Sequence, residues 1–479
     1  MQPLSARTVS NHSFNPALEL FRPIAATEGS VWLDSSLRVG DKGQFSFIAR
    51  DPSLDFRVEN GLVTCRDRLK TTVLGPAAYA LAYLDELRRQ KAMFVVGYCT
   101  YEAAATFLGF EKKSGLSNVP DMRFLFYESV ICMDHDTGSI SVTNPSADDY
   151  ADLLDVRLAG SSRGQELCDG TVDSLSSAVI EETGGYTRWD SGSGTDERHH
   201  RLSLTSAITK AEYIQKVEQI LWHIGRGDIY QANFTARFDV VSAMDPFAAY
   251  GRLRRLNPSP YAAYMNFGDY QILSSSPERM FTFEADRILT CPIKGTIQRG
   301  RDSSQDAFLK ERLLESEKDR AEHVMIVDVE RNDLGRVART GSVRVESLCR
   351  AEVYSSVIHL VSDISARIKP GTGLKDIFEA LLPGGSITGA PKRRAAEIIA
   401  ELESTPRSIY TGCIGYLHGD RADFNIAIRT IIRHDGRYYA HAGGGIVADS
   451  DPESEYEEMM LKAANLFRAL GVRPEDITS

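Results

Sequence analysis

Residues 261–293 read YAAYMNFGDYQILSSSPERMFTFEADRILTCPI, a succession of apolar runs and short turns. The runs have the composition and length of β-strands, and they cover 261–267, 270–276, 280–283 and 288–293. The turns Gly268-Asp269 and Glu284-Ala285-Asp286 are too short for a crossover helix, so neighbouring strands are predicted to pair antiparallel in one continuing sheet. This stretch therefore predicts an α+β fold rather than βαβ repeats.

A helix and a long strand are predicted just before this stretch. Thr209 and Glu212 form a capping box that starts the helix, and Gly225 and Gly227 end it. The strand over 229–240 has one apolar face, and its other face carries Gln231, Asn233, Thr235 and Arg237. These polar side chains either face water or line a polar pocket, and the alternation alone is compatible with both.

The length of 479 residues favours two domains or one large intergrown domain. We divide the chain into an N-terminal region over 1–205 and a second region over 206–479. Residues 144–205 are rich in Ser, Gly, Asp and Glu, which is typical of a connection. The elements predicted before it are a helix over 76–89, strands over 93–98 and 124–133, and a hairpin through 134–138 into 139–142.

Composition excludes several classes of protein. The formal net charge of −11 argues against a protein that binds nucleic acid or anionic membranes, so an anionic ligand would need locally concentrated positive charge. The seven cysteines lack the spacing of a zinc site or a disulfide framework, which suits a reducing cytosol. No apolar stretch has the length of a membrane span, and the polar segment 1–14 lacks the apolar centre of a signal peptide. A cytoplasmic protein is predicted.

The candidate catalytic residues are Glu278, within the stretch 261–293, and Lys294, directly after it. Lys294 directly follows the apolar run 288–293, where lost hydration would lower the pKa of its ammonium group and make the amine a nucleophile. The alternative is a lysine that extends from a strand end into water. Glu278 lies in a turn between two strands of the sheet, and it is a general acid, a solvated carboxylate or a carboxylate paired with Arg279. The short spacing allows Glu278 and Lys294 to reach one end of the same sheet.

A second constellation lies near the C-terminus. Glu455, Glu458 and Lys462 fall on one stripe of a helix that begins at 451–454, shortly after a glycine loop at 443–445. Three successive glycines allow a ligand to approach the backbone closely, and paired carboxylates beside them suit Mg²⁺. The alternative is ordinary ion pairing on a helix surface.

Two further anion sites are predicted. The segment 383–392 resembles a phosphate loop but departs from that pattern, because Pro391 has no N–H and no Ser or Thr follows Lys392. Its glycines still leave free N–H groups at the start of a helix over 392–403, where an anion would bind. Arg429, placed on a strand face with Asn425 and Ala427, would clamp a carboxylate unless it is a surface arginine.

Taken together, these motifs resemble the chorismate-utilising enzymes, a family that includes anthranilate, aminodeoxychorismate, isochorismate and salicylate synthases. The matching runs follow the family's order between residues 209 and 470, at 227–233, 276–279, 292–296, 321–323, 331–335, 389–392, 410–412 and 442–458. The N-terminal region matches more weakly, at 43–48 and 97–98. The resemblance implies an intergrown fold of large antiparallel β-sheets flanked by helices.

The resemblance also implies a role for each matching residue. Three carboxylates would hold Mg²⁺ against a substrate carboxylate, namely Glu322, Glu455 and Glu458. The two carboxylates of chorismate would be bound by Tyr410, Arg429, Gly443, Gly445 and Lys462. The remaining pocket residues would be Gln231, Asn233, His359 and Ser386. Glu278 would protonate the departing 4-hydroxyl group.

Two positions separate the reactions within this family. Isochorismate and salicylate synthases carry a water-activating lysine where this chain has Gln231, and anthranilate synthases typically carry alanine where it has Lys294. Lys294 is the signature of the component I subunits of aminodeoxychorismate synthases. In the mechanism proposed for them, this lysine attacks C2 of chorismate and ammonia then replaces it by adding at C4. The product, 4-amino-4-deoxychorismate, leads to p-aminobenzoate and folate.

Partners and alternatives follow from the same resemblance. No segment is left for a glutamine-hydrolysing domain, so ammonia would come from a separate glutamine amidotransferase subunit or from solution. A tryptophan-binding motif of relatives, Leu-Leu-Glu-Ser, reads Trp32-Leu33-Asp34-Ser35 here, which leaves tryptophan binding open. The alternatives are an anthranilate synthase component I and a non-catalytic regulatory subunit that binds chorismate or tryptophan. The full set of candidate catalytic and metal-binding residues argues against the second.

Overall fold

The computed structural model of the chain describes residues 16–143, 150, 153, 203–206 and 208–472. Nearly all of the predicted connection over 144–205, and the polar segment 1–14, lie outside the described residues. Every candidate site residue lies within them.

The β-strands dominate the described part of the chain. In chain order they are β1 (Val31–Asp34), β2 (Phe45–Ala49), β3 (Leu54–Glu59), β4 (Leu62–Arg66), β5 (Thr71–Pro76), β6 (Phe94–Cys99), β7 (Met122–Tyr127), β8 (Val130–Asp134), β9 (Ser139–Thr143), β10 (Ser203–Ser206), β11 (Gln231–Val241) and β12 (Tyr261–Asn266). They continue with β13 (Tyr270–Ser276), β14 (Arg279–Glu284), β15 (Arg287–Cys291), β16 (Ile293–Gln298), β17 (Arg344–Val353), β18 (Val357–Arg367), β19 (Gly389–Ala390), β20 (Cys413–His418), β21 (Arg421–Ile426), β22 (Thr430–His434) and β23 (Arg437–Ile446).

The helices connect these strands and cover the sheets. Within the described ranges the α-helices are α1 (Pro16–Phe21), α2 (Ala80–Lys91), α3 (Ala105–Leu108), α4 (Lys210–Gly225), α5 (Pro246–Leu256), α6 (Ser303–Glu315), α7 (Glu317–Val337), α8 (Leu374–Leu381), α9 (Lys392–Leu402) and α10 (Pro452–Ala469). Short 3-10 turns cover Arg22–Ile24, Ala77–Tyr79 and Glu102–Ala104. None of the helices in the described residues is long and apolar enough to cross a membrane.

The strands form two large antiparallel sheets. The first has 11 strands in the order β10-β11-β23-β22-β13-β12-β1-β2-β8-β9, and β19 pairs with β11. The second has 12 strands in the order β16-β18-β15-β14-β21-β20-β6-β7-β3-β4-β5, and β17 pairs with β18. Each sheet contains strands from both regions of the chain, so the predicted α+β fold of intergrown antiparallel sheets is confirmed. The boundary near residue 205 stays a prediction, since it does not coincide with a boundary between the sheets.

Strand β6 shows how the apolar residues are shared between layers. Its alternate residues Phe94, Val96 and Tyr98 pack between the two sheets, where they meet apolar side chains of β12, β13 and β22. Val95 and Cys99 point the other way, into a core that the second sheet shares with α2, α7 and α8. A third core lies between the first sheet and α4, α5 and α10. The order is therefore helices, sheet, sheet and helices.

The decisive stretch 261–293 does not continue one sheet, as the sequence predicted. Strands β12 and β13 belong to the first sheet, whereas β14, β15 and β16 belong to the second. Pro277 has no N–H for the ladder, and the chain crosses from one sheet to the other at Pro277-Glu278. The predicted strand 124–133 is also wrong as a single element, because it divides into β7 in the second sheet and β8 in the first.

Two short local motifs predicted from the sequence, a capping box and a hairpin, are confirmed. The capping box of Thr209 and Glu212 is present at the start of α4, and the hairpin predicted from 134–138 is the antiparallel pair β8–β9. The helix predicted to open at Pro76 begins later, because Pro76 ends β5 and a 3-10 turn precedes α2. These motifs depend on contacts between near neighbours in the chain, which is why short sequence patterns identify them.

Candidate active site

Lys294 is held by an irregular start to strand β16. The ladder between β16 and β18 shifts register between Ile293 and Thr296, and Gly295 adopts a φ of 85°. Such a bulge redirects the side chains beside it. The Lys294 side chain is only 17% exposed, and its Nζ lies 3.8 Å from the Glu322 carboxylate on α7. The amine therefore does not extend into water, which was the alternative prediction.

Two opposing effects act on the pKa of Lys294: burial favours the neutral amine, and a nearby carboxylate favours the ammonium. Burial lowers the pKa of Lys294, and the carboxylate of Glu322 opposes that shift. The backbone of Gly445 on β23 lies beside the amine, since a methyl group added to Gly445 would be 2.4 Å from Nζ. Lys294 thus occupies a confined space between α7 and β23.

Glu278 is buried at the crossing between the two sheets. Its side-chain oxygen accepts a hydrogen bond from the N–H of Ile293, the neighbour of Lys294, at 3.1 Å. Burial raises the pKa of Glu278 to about 7, although the Ile293 N–H and the positive charge of Lys294 favour the ionised form. Glu278 is buried and Arg279 pairs with Asp41 at 3.0 Å, so the predicted alternatives of a solvated Glu278 and of a Glu278–Arg279 pair are both wrong. A carboxyl group with this pKa can give and take protons near neutral pH.

The stripe of Glu455, Glu458 and Lys462 lies on α10, as predicted. The glycines before it are part of β23 rather than a loop, because they pair with β11 through Gly443 opposite Thr235 and Gly445 opposite Asn233. Lys462 donates to the carbonyl oxygen of Gly443 at 3.1 Å and pairs with Glu458 at 2.7 Å. The helix therefore packs its charged stripe directly against the end of a strand.

The carboxylates Glu322, Glu455 and Glu458 have the donor chemistry that Mg²⁺ prefers. In the described part of the chain, no group of three or more His, Cys, Asp or Glu residues is already arranged around a cation position. Instead Glu455 accepts from Ser450 Oγ at 2.6 Å, Glu458 pairs with Lys462, and Glu322 lies beside Lys294. Burial and then the neighbouring charge of Glu458 raise the pKa of Glu455, whereas Lys462 lowers the pKa of Glu458. A cation among these carboxylates would relieve that repulsion.

The polar face of β11 points into the protein rather than into water. Gln231, Asn233 and Thr235 are buried, whereas Arg237 is half-buried and pairs with Asp239 at 2.8 Å. Both amide atoms of Gln231 are buried without a hydrogen-bond partner among the described residues. The Gln231 amide nitrogen would lie 3.1 Å from a methyl group on Gly445, so it is a neighbour of Lys294. Unpartnered buried amide groups are rare and indicate that a ligand is expected here.

His359 and Ser386 present further unpartnered polar atoms. His359 Nδ1 and Thr296 Oγ1 are 2.8 Å apart, and Nε2 is buried without a partner among the described residues. Burial lowers the pKa of His359 to about 3, so the imidazole is neutral. Ser386, in the segment between α8 and β19, is buried, and its hydroxyl lies near enough to Glu278 to favour the carboxylate without making a regular hydrogen bond.

Arg429 is positioned differently from the prediction. Strand β21 ends at Ile426 and β22 begins at Thr430, so Arg429 lies in the connection, in a left-handed conformation with a φ of 51°. The prediction of one strand face shared by residues 425, 427 and 429 was therefore wrong. Burial lowers the pKa of Arg429, and no ion pair to it is found within the described ranges. A half-buried guanidinium without a carboxylate partner suits an anionic ligand.

Two other predicted anion-binding residues have partners inside the protein. Tyr410 is buried and stacks on His441 with ring centres 5.0 Å apart. Lys392, at the start of α9, pairs with Asp333 at 2.5 Å, so its charge is already used at the helix start where an anion was predicted. The motif of Trp32 lies in β1, where Trp32 is fully buried and Asp34 accepts a hydrogen bond from the Tyr250 hydroxyl at 2.9 Å.

Several residues around Glu278 were missed by sequence reasoning. Lys42 is fully buried and contacts both carboxylate oxygens of Glu352 at 2.9 Å. The Tyr354 hydroxyl lies 3.1 Å from Glu352 and donates to the carbonyl oxygen of Pro277 at 3.2 Å. Asp41 holds Arg279 on the other side of Glu278. The one signal in the sequence was the charged pair Asp41-Lys42 directly before the matched run 43–48. This pair does not indicate which residues it contacts.

The chain is similar to known proteins over most of its length. Residues 34–468 match the profile of a family described as chorismate binding enzyme. The chain is 37% identical to aminodeoxychorismate synthase component 1 of Bacillus subtilis over 384 residues, which is 80% of this chain and 77% of that protein. It is 38% identical to anthranilate synthase component 1 of Acetivibrio thermocellus over 358 residues, covering 74% and 69%.

A solved structure shows the same arrangement of sheets and helices. Anthranilate synthase component I from Streptococcus pneumoniae superposes with a TM-score of 0.71 at 30% sequence identity. The superposition covers 90% of this chain and 93% of that one. The family profile and the solved structure therefore indicate a single group of proteins.

Proposed function

The chain belongs to the family of chorismate binding enzymes, and from this premise we propose that it adds ammonia to chorismate to form 4-amino-4-deoxychorismate. The observation that carries the proposal is the position of Lys294. Its amine is withdrawn from water, lies beside Glu322 and Gly445, and is one residue from the N–H that binds Glu278. A candidate nucleophile and a candidate acid would thus act close together in a site that contains unpartnered polar groups.

Chorismate would be bound through its two carboxylates. Arg429 offers a guanidinium without an ion-pair partner in the described ranges, and Lys462 offers an ammonium at the end of β23. Gly443 and Gly445 allow close approach to the backbone, and the pocket wall would include Gln231, Asn233, His359, Ser386 and Tyr410. Glu322, Glu455 and Glu458 would hold Mg²⁺, which when bound would neutralise one substrate carboxylate. An acidic protein can in this way bind a dianion.

The first step uses Lys294 as nucleophile and Glu278 as acid. The Lys294 nitrogen forms a bond to C2, the two ring double bonds shift, and the C4–O bond breaks. The 4-hydroxyl leaves as water with a proton from Glu278, whose pKa of about 7 keeps much of it protonated near neutral pH. Splitting one displacement into two steps is ordinary covalent catalysis.

The second step regenerates Lys294. Ammonia forms a bond to C4, the double bonds shift back, and the C2–N bond breaks, so that the amine of Lys294 is released. The Glu278 carboxylate then accepts the proton that the incoming ammonia loses. Gln231 supports ammonia over water as the nucleophile, because a neutral amide cannot serve as the base that activates water.

Ammonia would be supplied by a glutamine amidotransferase subunit, and the product would lead to p-aminobenzoate and folate. This proposal rests on the similarity to aminodeoxychorismate synthase component 1 of Bacillus subtilis. A cytoplasmic location is part of the proposal, because the seven cysteines of the sequence lack the spacing of a disulfide framework. Tryptophan binding at the motif of Trp32 stays a prediction.

The alternative product is anthranilate. It is favoured by the relatives from Acetivibrio thermocellus and Streptococcus pneumoniae, which are anthranilate synthases of comparable similarity. Incubation with chorismate, Mg²⁺ and ammonium, followed by mass spectrometry of the product, distinguishes the two. We expect 4-amino-4-deoxychorismate, and anthranilate as the main product would overturn the proposal. Chorismate binding without turnover would instead indicate a regulatory subunit.

A further inference from the structure

A small pocket with both polar and apolar walls lies behind β11, separate from the substrate site described above. Its walls include Tyr101, Glu102, Glu403 and Arg407, and it has about 20 Å³ of room for the centre of a water-sized molecule. A space of this size admits one small polar molecule or ion when it has polar partners.

Two side-chain oxygens of this pocket lack partners. Tyr101 and Glu102 are 3% and 5% exposed. The hydroxyl of Tyr101 and Oε2 of Glu102 are buried, and neither has a hydrogen-bond partner among the described residues. Buried polar atoms are ordinarily hydrogen-bonded, so a ligand that donates hydrogen bonds would satisfy both.

The charges around the pocket leave a negative excess. The guanidinium of Arg407 is paired with Glu403 through contacts of 2.7 and 2.9 Å. Glu102 accepts a hydrogen bond on its other oxygen from the backbone N–H of Arg407 at 2.8 Å, and the backbone N–H groups of Glu102 and Ser408 also favour its ionised form. Burial raises the pKa of Glu102 to about 7, so these contacts do not fully offset the loss of hydration. The outer residues Glu111 and Lys113 add one charge of each sign.

The pocket shares a wall with the substrate site. Glu403 accepts hydrogen bonds from the N–H and hydroxyl of Thr235 at 2.9 and 2.8 Å. Arg407 donates to the carbonyl oxygens of Asn233 at 2.6 Å and Ile387 at 2.9 Å. One layer of side chains therefore separates the pocket from the strand that carries Gln231 and from the segment that carries Ser386.

We propose that this pocket binds ammonium, with Glu102 and Tyr101 as its ligands, and that it holds the nitrogen substrate behind β11. Ammonium has the size of water and donates hydrogen bonds in several directions. Its single positive charge would compensate the carboxylate of Glu102. The inference rests on the proposed function in one respect, namely that ammonia is a substrate of the enzyme.

Thermal unfolding of the full chain without chorismate tests binding directly. Ammonium chloride, but not the larger tetramethylammonium chloride at equal ionic strength, should raise the melting temperature of the wild type. The Glu102→Gln variant should lose this increase. The control Glu401→Gln changes an exposed glutamate at the end of α9, two residues before Glu403, and should keep the increase. The absence of an increase in the wild type, an equal increase in Glu102→Gln, or an equal effect of potassium would each overturn the proposal.

Steady-state kinetics tests the link to the reaction. Glu102→Gln should raise KM for ammonium at least about tenfold, and Tyr101→Phe, which removes one hydroxyl only, about threefold. KM for chorismate should stay unchanged, because neither side chain faces the substrate site. An unchanged KM for ammonium in both variants, or an equal change in both KM values, would refute the role.

The two proposals can fail separately. The KM for ammonium can be measured whether the product is 4-amino-4-deoxychorismate or anthranilate, since both contain the added nitrogen. The unfolding measurement needs no turnover at all. Failure of the enzyme to use chorismate would therefore overturn the proposed function, while the melting temperatures would still decide whether ammonium binds. Tyr101→Phe retains the buried carboxylate, so it serves if Glu102→Gln does not fold.

Discussion

The amine of Lys294 occupies the space in which Gly445 would carry a side chain. A methyl group at Gly445 would lie 2.4 Å from Nζ of Lys294 and 3.1 Å from the amide nitrogen of Gln231. The proposed nucleophile, Lys294, can therefore take this position only because residue 445 of β23 has no side chain.

Gly445→Ala should displace Lys294 and lower kcat by about 100-fold, because a shift of about 1 Å at a reacting group costs that much. The measurement is the rate of amination of chorismate at saturating ammonium. Gly335→Ala is the control, since a methyl group there meets no atom within 4 Å. Equal effects of both substitutions would mean that the loss is not specific to the contact with Lys294.

Lys294→Ala should lower the rate of 4-amino-4-deoxychorismate formation by at least about 100-fold, because the covalent route needs the amine. Intact-protein mass spectrometry during turnover should also detect a chorismate-derived adduct on the wild type and none on the variant. Lys310→Ala removes an exposed lysine on α6 and should leave both results unchanged. Normal product formation by Lys294→Ala would refute the nucleophilic role.

Glu278→Gln should inactivate the enzyme and stabilise its fold at high pH. The pKa of Glu278 rises from 4.5 to about 7 on burial, so the folded chain holds this proton more tightly than the unfolded chain. The resulting stability is complete below about pH 4.5 and is lost as the pH rises through about 7. Gln carries no charge, and it should raise the free energy of unfolding at pH 8 by up to about 3 kcal/mol and have little effect at pH 4.5.

Urea denaturation at the two pH values measures this difference, and initial rates should fall by about 100- to 10,000-fold. Glu284→Gln at the exposed end of β14 is the matched control, with no expected pH-dependent gain. A variant that is destabilised at pH 8 would show that the buried carboxylate is compensated by groups other than those described.

Glu458→Gln should weaken Mg²⁺ binding, because it removes one of the three carboxylates proposed to hold the ion. The affinity for Mg²⁺ should fall by more than about tenfold, because removing even a residue that only supports a metal ligand costs about that much. Isothermal titration calorimetry with Mg²⁺ and chorismate provides a measurement that does not need turnover. Glu457→Gln is exposed on the same helix and should bind Mg²⁺ normally. Equal affinity in both variants would remove Glu458 from the proposed site.

Tyr354→Phe should lower kcat about tenfold with little change in KM for chorismate. The substitution removes the hydrogen bond to the Pro277 carbonyl oxygen, and one hydrogen bond is worth about 1 kcal/mol or somewhat more. Because Tyr354 positions Glu278 through the backbone, the pH dependence of kcat should shift together with the rate. A loss in kcat without any shift would mean that Tyr354 acts on stability alone.

The extent to which the sequence predicted this site depends on distance along the chain. Glu278 and Lys294 were predicted to reach one end of the same sheet, and they are linked through Ile293, because a two-strand excursion brings its ends together. The stripe of Glu455, Glu458 and Lys462 followed from helix periodicity alone. Both predictions used geometry that is complete within about twenty residues.

Long-range features were not predictable in this way. The assignment of 261–276 and 279–298 to different sheets depends on which strands come to pair with them from far away. Arg429 was placed on a strand because its left-handed conformation has no sequence signature in a non-glycine residue. Lys42 and Glu352 are separated by 310 residues, and no local pattern relates them.

The turn of Asp41 and Lys42 has a consequence for how this protein can be divided or exchanged. Both residues belong to the N-terminal region, yet they hold the segments on either side of Glu278 in the second region. A fragment that begins near residue 206 would lack this support. A chimera with the N-terminal region of a relative would place that relative's residues, instead of Asp41 and Lys42, beside the segment that carries Glu278. Engineering of this enzyme therefore has to treat the turn and the Glu278 segment as one exchangeable unit.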